Sequence, residues 1–213
     1  MNVDRLHAIR RDYHAEPLSL ENTPADPLDM FRQWFEQMLI AKLEDPNAMV
    51  LATVDEHGIP DARVVLLKGL VKNQFIFYTN YQSNKAKHLA QNPYAALNFY
   101  WPSLCRQIRI QGKVMKTSAS VSDEYFASRP EDSQVGAIVS QQSHPVTRQG
   151  LETAVINYTK EHRPPYQRPH YWGGYSLVAN VIEFWHGRSS RLHDRIHYAK
   201  SNNGEWLKQR LSP

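Results

Sequence analysis

From Ala48 onward the chain is a succession of short apolar runs cut by tight-turn signals, and that pattern confines it to a mainly antiparallel sheet. Ala48 to Val54 is a compact apolar strand, and Asp55-Glu56-His57-Gly58 reads as a hairpin turn. Asp61 to Leu70 returns as a second strand, Lys72-Asn73 turns again, and Phe75 to Thr79 is a third. Ser83 is placed to cap a short helix from about Asn84 to Ala90, which Asn92-Pro93 ends. Tyr94 to Tyr100 and Arg106 to Thr117 read as two more strands. Helices are predicted at about Ser120 to Ser128, Pro130 to Val139 and Arg148 to His162, before Pro164-Pro165 and Pro169 break the pattern. The last strands are Tyr175 to Trp185, Arg191 to Ala199 and Trp206 to Arg210, with Asn202-Asn203-Gly204 as a turn between the last two. Seven or more strands at this spacing predict a closed or nearly closed barrel with helices packed outside.

Ahead of the sheet, residues 1–26 are polar, carry Pro17 and Pro24, and read as an arm with a short helix somewhere in Asp4 to His14. Composition alone makes this arm a loose tail. Asp26 then caps a helix whose first turn holds Pro27, and Leu28, Phe31, Trp34/Phe35, Met38/Leu39 and Leu43 recur at helical spacing as a core-facing stripe. Residues 27–213 show no internal boundary and no repeat, so they are expected to form one domain.

A formal net charge of +4 over 213 residues, with no run of Lys and Arg, is too little to argue for nucleic acid. The single cysteine, Cys105, fits a reducing compartment. The first residues are charged and lack an apolar core segment, and no apolar run is long enough to span a bilayer. The expectation is a cytoplasmic protein with no membrane or nucleic-acid partner.

Several polar constellations stand out. If Arg191 to Ala199 is a strand, Arg191, His193 and Arg195 share one face. Side-by-side cations there mean either a charged edge that resists aggregation or a site for an anion. Arg63 and Lys68 close the two ends of an apolar run at opposite parity, either as strand-end charges or as contacts for a ligand lying along it. Ser83-Asn84-Lys85 opens a helix where backbone N–H groups and a lysine favour an anion. Cys105, Gln107, Arg109 and Gln111 share a strand face, which is either solvated or able to read a planar heterocycle through its amides. Tyr125, Arg129 and Ser133 recur at four-residue spacing about a helix start, where a phosphate finds a guanidinium, a phenol and a hydroxyl, and Gln142-Ser143 adds two polar side chains in a loop. His186, His193 and His197 lack the spacing and carboxylates of a metal site. Nucleophile-elbow, dinucleotide and P-loop motifs are absent.

These pieces, in order, resemble one family. Arg63-Val64-Val65-Leu66-Leu67-Lys68, Phe77-Tyr78-Thr79-Asn80, Arg106-Gln107, Tyr125-Phe126 with Arg129-Pro130 and Ser133-Gln134, Gln142-Ser143, Tyr171-Trp172-Gly173-Gly174, Glu183-Phe184-Trp185 and Arg191-Leu192-His193-Asp194-Arg195 together resemble the pyridoxine/pyridoxamine 5′-phosphate oxidases, over nearly the whole chain from about Arg10 to Pro213. The resemblance implies a mainly β fold with flanking helices, the FMN-binding split β-barrel, working as a homodimer with flavin at the subunit interface. It implies FMN contacts from Arg63, Val64, Val65, Leu66, Leu67, Lys68, Tyr78, Thr79, Lys85, Gln107, Gln142, Ser143, Trp185 and Arg195. It assigns the substrate phosphate to Lys68, Tyr125, Arg129 and Ser133, the substrate ring and the catalytic roles to Arg191 and His193, and a closing lid to the arm through Arg10 and Tyr13. Asn84 departs, standing where the family often carries Arg. The implied reaction oxidises pyridoxamine or pyridoxine 5′-phosphate to pyridoxal 5′-phosphate, with dioxygen as acceptor and hydrogen peroxide as product. The alternatives are a split-barrel flavoprotein with another substrate, or a non-enzymatic carrier of flavin or pyridoxal phosphate.

Overall fold

A computed structural model of the chain describes residues 3–9, 12–13 and 15–213. The elements, in chain order, are α1 (Val3–His7), α2 (Pro27–Ile40), β1 (Ala48–Val54), β2 (Pro60–Leu66), β3 (Gly69–Val71), β4 (Gln74–Asn80), α3 (Asn84–Gln91), β5 (Tyr94–Trp101), β6 (Arg106–Lys116), α4 (Ala119–Ser128), α5 (Glu131–Val139), α6 (Arg148–Glu161), β7 (Trp172–His186), β8 (Asp194–Lys200) and β9 (Trp206–Leu211). Strand pairing runs β2-β1-β5-β6-β7-β4-β3, with β8 on β7 and β9 on β8. The chain folds as two compact units. One holds Met1–Pro46, Leu97–Ile110 and Asn180–Pro213, the other Asn47–Ala96 and Gln111–Ala179, so β5, β6 and β7 contribute to both. No helix among the described residues is long and apolar enough to cross a membrane.

In the unit built around Asn47–Ala96, β1 and β2 form the expected hairpin, from Ala48↔Leu66 to Val54↔Pro60. Asp55 closes its turn by accepting from the backbone N–H of His57 (2.9 Å) and Ile59 (2.8 Å), and Gly58 supplies the left-handed residue at φ +80°. The predicted strand from Asp61 to Leu70 breaks in two. Leu67 N–H still donates to Asn47 O (2.8 Å), but Lys68 N–H donates to Ile76 O (2.8 Å), so the chain changes partner there and restarts as β3 against β4. β4 pairs antiparallel with the first half of β7, Gln74↔Val178 to Asn80↔Trp172. Leu51, Phe75, Phe77 and Leu177 are fully buried. Gly112 in β6 is required by proximity: a Cβ there would lie 2.0 Å from the carbonyl oxygen of Val178.

In the other unit, Asp26 caps α2 by accepting from Leu28 N–H at 2.8 Å. Leu28, Phe31, Trp34 and Met38 are buried as the stripe predicts, joined by Met30, while Leu39 faces solvent. Trp34 meets Phe184 edge-on with centroids 5.2 Å apart, and the buried Tyr198 donates to Pro24 O at 2.8 Å. The arm is fixed from residue 15 on. Asp194 accepts from Leu18 N–H (2.9 Å), Lys208 donates to Leu20 O (2.8 Å) and Thr23 O (2.7 Å), and Arg210 donates to Leu18 O. The short helix expected in Asp4 to His14 is α1, and residues 10, 11 and 14 of that range lie outside the described residues.

Two sequence readings are corrected by the backbone. The last-but-one strand begins at Asp194, not Arg191. Reversal from β7 into β8 takes a tight turn through Ser189–Arg191, with Ser190 at φ 55° and Arg191 at φ 63°, so Arg191 and His193 precede the strand and only Arg195 lies on it. Cys105 sits at φ 54° after the turn Pro102–Leu104 and so is not on the β6 face that carries Gln107, Arg109 and Gln111.

Candidate active site

A cavity of about 720 Å³ opens in the second of these units, the one that holds β1 to β4. Arg63, Val64, Val65 and Leu66 of β2 line it, with Lys68 just past the partner switch. β4 contributes Tyr78, Thr79 and Asn80, and α3 gives Lys85 from its first turn. Tyr125 and Arg129 come from the end of α4, Ser133 from α5, Gln142 from the following loop and Trp172 from the start of β7. Among the described residues, the lining holds four cationic side chains and no carboxylate. Such a cavity attracts anions, and its size suits a cofactor-sized ligand.

The Lys85 end is built from hydrogen bonds. Ser83 stands at the N-cap of α3, but its side chain does not cap the helix. Its hydroxyl donates to Asn80 O (2.7 Å) and accepts from Lys85 Nζ (3.2 Å). Gln142 Oε1 accepts from both Lys85 Nζ (2.9 Å) and Thr79 Oγ1 (3.0 Å). Ser143, at φ 73°, accepts from the backbone N–H of Asn84 at 3.2 Å. Arg63 donates to Leu51 O (3.1 Å) and Thr53 Oγ1 (2.7 Å) and pairs with Asp61. Burial first, and then the Arg63 charge, hold the Lys85 ammonium down to about 8, with Asp61 opposing in part. An amine in this position gains most from an incoming anion.

At the Arg129 end, Tyr78 stacks on Tyr125 with centroids 3.8 Å apart, and burial followed by the neighbouring phenol raises the Tyr78 hydroxyl above its usual range. The buried Nη1 of Arg129 has no hydrogen-bond partner among the described residues. Burial lowers the Arg129 pKa. A buried donor without an acceptor is costly, and a turn of the guanidinium toward an anion in the cavity that Arg129 lines would relieve that cost.

The remaining expected residues lie in the other unit or beneath the cavity. Leu67 is buried next to the lining strand. Trp185, His193 and Tyr13 form a ring cluster, with centroids 4.7 Å apart for Trp185–His193 and 5.6 and 5.7 Å for Tyr13 to each of them. His193 Nδ1 accepts from Arg188 N–H at 3.0 Å, which leaves Nε2 as the protonated nitrogen of the neutral ring. Burial and then Arg191 lower its pKa. Arg195 is held in two bonds by the buried Glu183 (3.0 and 3.1 Å) and donates to Ser212 O (2.8 Å), while Arg109 approaches Glu183 at 3.6 Å. Gln107 is half-buried on β6, and Arg191 is exposed. Arg10 lies outside the described residues. Trp172, Asn80, Gly136, Ala137 and Ser140 line the cavity without having been given a site role from the sequence. For Trp172 the signal was the Trp172-Gly173-Gly174 run, which carried resemblance but no role.

Residues 35–159 match the family model described as pyridoxamine 5′-phosphate oxidase, and residues 172–213 match the pyridoxine 5′-phosphate oxidase C-terminal dimerisation region. The chain belongs to the pyridoxine/pyridoxamine 5′-phosphate oxidase family. It is 53% identical over 207 residues to the pyridoxine/pyridoxamine 5′-phosphate oxidase of Legionella pneumophila (strain Lens), covering 96% of each chain. With the oxidase of that name from Chromohalobacter salexigens it shares 50% over 216 residues, covering 100% of each. Among solved structures it is similar to PhzG from Burkholderia lata 383 in complex with tetrahydrophenazine-1-carboxylic acid, at TM-score 0.87 and 26% identity, over 93% of this chain and 99% of that one. A pyridoxamine 5′-phosphate oxidase-related, FMN-binding protein from Nostoc punctiforme superposes at TM-score 0.71 and 19% identity, over 92% of this chain and 100% of that one, and shares the fold. The oxidase family's split-barrel fold, with a mainly antiparallel sheet and flanking helices, is therefore the fold of this chain.

Proposed function

We propose that this chain is an FMN-dependent oxidase that converts pyridoxamine and pyridoxine 5′-phosphates to pyridoxal 5′-phosphate in the cytoplasm, as a homodimer. The observation that carries the reading is one cavity holding two separately built cationic ends, a desolvated Lys85 beside Arg63 and an Arg129 with a buried, unpartnered Nη1. Two phosphates, one on the cofactor and one on the substrate, fit two such ends, and the donor set is of the right chemistry for FMN.

Bound FMN would supply the two-electron oxidation at C4′ of the substrate, with dioxygen as final acceptor and hydrogen peroxide as product. Arg63 and Lys85 would hold the cofactor phosphate, aided by Thr79, Gln142 and Ser143, with Val64, Val65 and Leu66 of β2, the following Leu67 and Lys68, and Tyr78 as its further contacts. Lys68, Tyr125, Arg129 and Ser133 hold the substrate phosphate and so fix the ring in position. Gln107, Trp185 and Arg195 complete the cofactor site and Arg191 and His193 face the substrate ring, all supplied by the second copy, in keeping with the dimerisation-region match. His193 Nε2 is free of its Arg188 bond and is placed to orient the substrate or move a proton. Tyr13 on its Trp185–His193 platform supports a role for the arm as a lid over residues 27–213; Arg10, the other expected lid residue, lies outside the described residues.

Anaerobic mixing of the purified, FMN-loaded protein with pyridoxamine 5′-phosphate tests this. The visible flavin bands should bleach and return with air. Protein that binds no FMN, or whose flavin stays oxidised, would overturn the reading. The likeness to the phenazine-complexed structure favours one second reading, a carboxylated heterocycle as substrate with its carboxylate on Arg129. Bleaching by such a compound and not by the phosphorylated amine would select it.

A further inference from the structure

Trp172 meets Arg129, Tyr125, Tyr78 and Phe126 at the Arg129 end. The Arg129 guanidinium lies 4.7 Å from the centroid of the Trp172 ring and 6.0 Å from that of Phe126. The indole runs nearly parallel to Tyr125 (6°, 6.2 Å) and Tyr78 (12°, 5.6 Å), and it is buried. Its backbone is pinned as well: Arg168 donates to Trp172 O at 2.6 Å while its Nε pairs with Asp123 of α4 at 2.7 Å. On the other side the buried Gln134 donates to Arg129 O at 2.7 Å and to Ala127 O at 3.4 Å, and Arg129 N–H bonds to Phe126 O at 3.2 Å. No carboxylate pairs with Arg129 among the described residues, and its Nη1 remains without an acceptor.

That combination has a chemical consequence. A carboxylate partner would neutralise the guanidinium and occupy the donors that an anion needs. An aromatic face attracts the same cation through its quadrupole and leaves the in-plane N–H groups available. We propose that Trp172 is a positioning residue for the substrate phosphate: its indole face, with Gln134 holding the Arg129 backbone, keeps the Arg129 guanidinium in the cavity wall, uncommitted to a carboxylate, for a phosphomonoester in the cavity. This rests on the assignment of Arg129 to the substrate phosphate made above.

The test measures KM, kcat and flavin affinity for the FMN-loaded enzyme with pyridoxamine 5′-phosphate in Trp172→Leu, Trp172→Phe, Gln134→Leu, Arg129→Ala and the Trp172→Leu/Arg129→Ala double variant. Loss of the ring face in Trp172→Leu should raise KM roughly 3- to 30-fold, with kcat and flavin affinity little changed. Trp172→Phe, which keeps a face, should restore most of the loss. In the Arg129→Ala background Trp172→Leu should add nothing, because its effect runs through the guanidinium. A further KM rise in the double variant, equal effects of Leu and Phe, or a loss carried mainly by flavin affinity would overturn the inference and leave Trp172 a packing residue. Should Trp172→Leu fail to fold, Trp172→Phe and Gln134→Leu decide: both should raise KM modestly, and two unchanged KM values would overturn it. Arg129→Ala with an unchanged KM would instead sink the phosphate assignment itself. A raised KM in Arg129→Ala beside a silent Trp172→Leu sinks only the role of the tryptophan.

Discussion

Lys85 shows how much a single residue is asked to do. Its ammonium is buried, it hydrogen-bonds to Ser83 and Gln142 and feels the Arg63 charge, and Asp61, itself paired with Arg63, compensates in part. With a pKa of about 8 the amine is charged at neutral pH and loses its proton as pH climbs toward 9. Two effects of opposite sign follow. For folding, the free protein carries a penalty for the buried charge that is present below pH 8 and relieved between about 8 and the ordinary lysine value of 10.5. For binding, the charge that we propose holds the cofactor phosphate disappears over that same window. FMN affinity, followed by flavin fluorescence quenching, should therefore fall from pH 7 to 9.5 in the native protein, and the fall should be lost in Lys85→Met; an equal pH slope in both would exclude Lys85 as its source. Arg191 and Arg195 should also separate. Arg191 is exposed and pairs with no carboxylate among the described residues, so Arg191→Ala, like His193→Ala, should retain flavin and slow its reduction by substrate in stopped-flow traces. Arg195→Ala removes the bidentate partner of the buried Glu183, so it should weaken FMN binding and lower the unfolding midpoint together. Flavin loss in Arg191→Ala with normal retention in Arg195→Ala would reverse the assignment.

At the scale of the element, legibility follows how local the cause is. The β1–β2 hairpin, the capped start of α2 and the α4–α5 pair were readable because Asp55, Gly58, Asp26 and Pro130 act within a turn of themselves. The break at Leu67–Lys68 was not, because it reflects a change of partner from Asn47 to Ile76 rather than any residue that disfavours a strand. The same holds for Arg191 to His193, whose alternation looked strand-like while the reversal out of β7 claimed those residues for a turn. Trp172 was visible as a motif, yet its role depends on a guanidinium 43 positions earlier in the chain. Gly112 belongs to the same class. Nothing in its neighbours marks it, but β6 runs so close to β7 there that an added Cβ meets the Val178 carbonyl. Gly112→Ala should destabilise the protein by roughly 1–3 kcal/mol or more, read as a lowered urea midpoint. An unchanged midpoint would mean that the two strands separate at little cost.

For the whole molecule, the cavity residues and the Trp185–His193–Arg195 group belong to different units of the chain, and the proposed site joins them through a second copy. The outcome can be counted. Lys85→Ala and Arg195→Ala are each expected to be nearly inactive alone. Mixed and reassembled in equal amounts, they should regain roughly a quarter of native activity, since half of the dimers are then mixed and each has one intact site of two. No recovery, or full activity from a species that sediments as a monomer, would place the whole site within one chain.

The arm's anchors carry a consequence in time. Leu18 is tied to Asp194 and Arg210, and Leu20 and Thr23 to Lys208, across 176 to 192 positions of sequence. A ribosome delivers residue 18 long before residue 210, so the arm cannot dock when it is made and must wait until β8 and β9 have emerged and paired. A segment that precedes its partners by so much of the chain is thus fastened only after they are made, and a contact that joins the two ends of this sequence forms late. Chains stalled before residue 206 should show an arm open to protease, whereas chains released at full length should protect it.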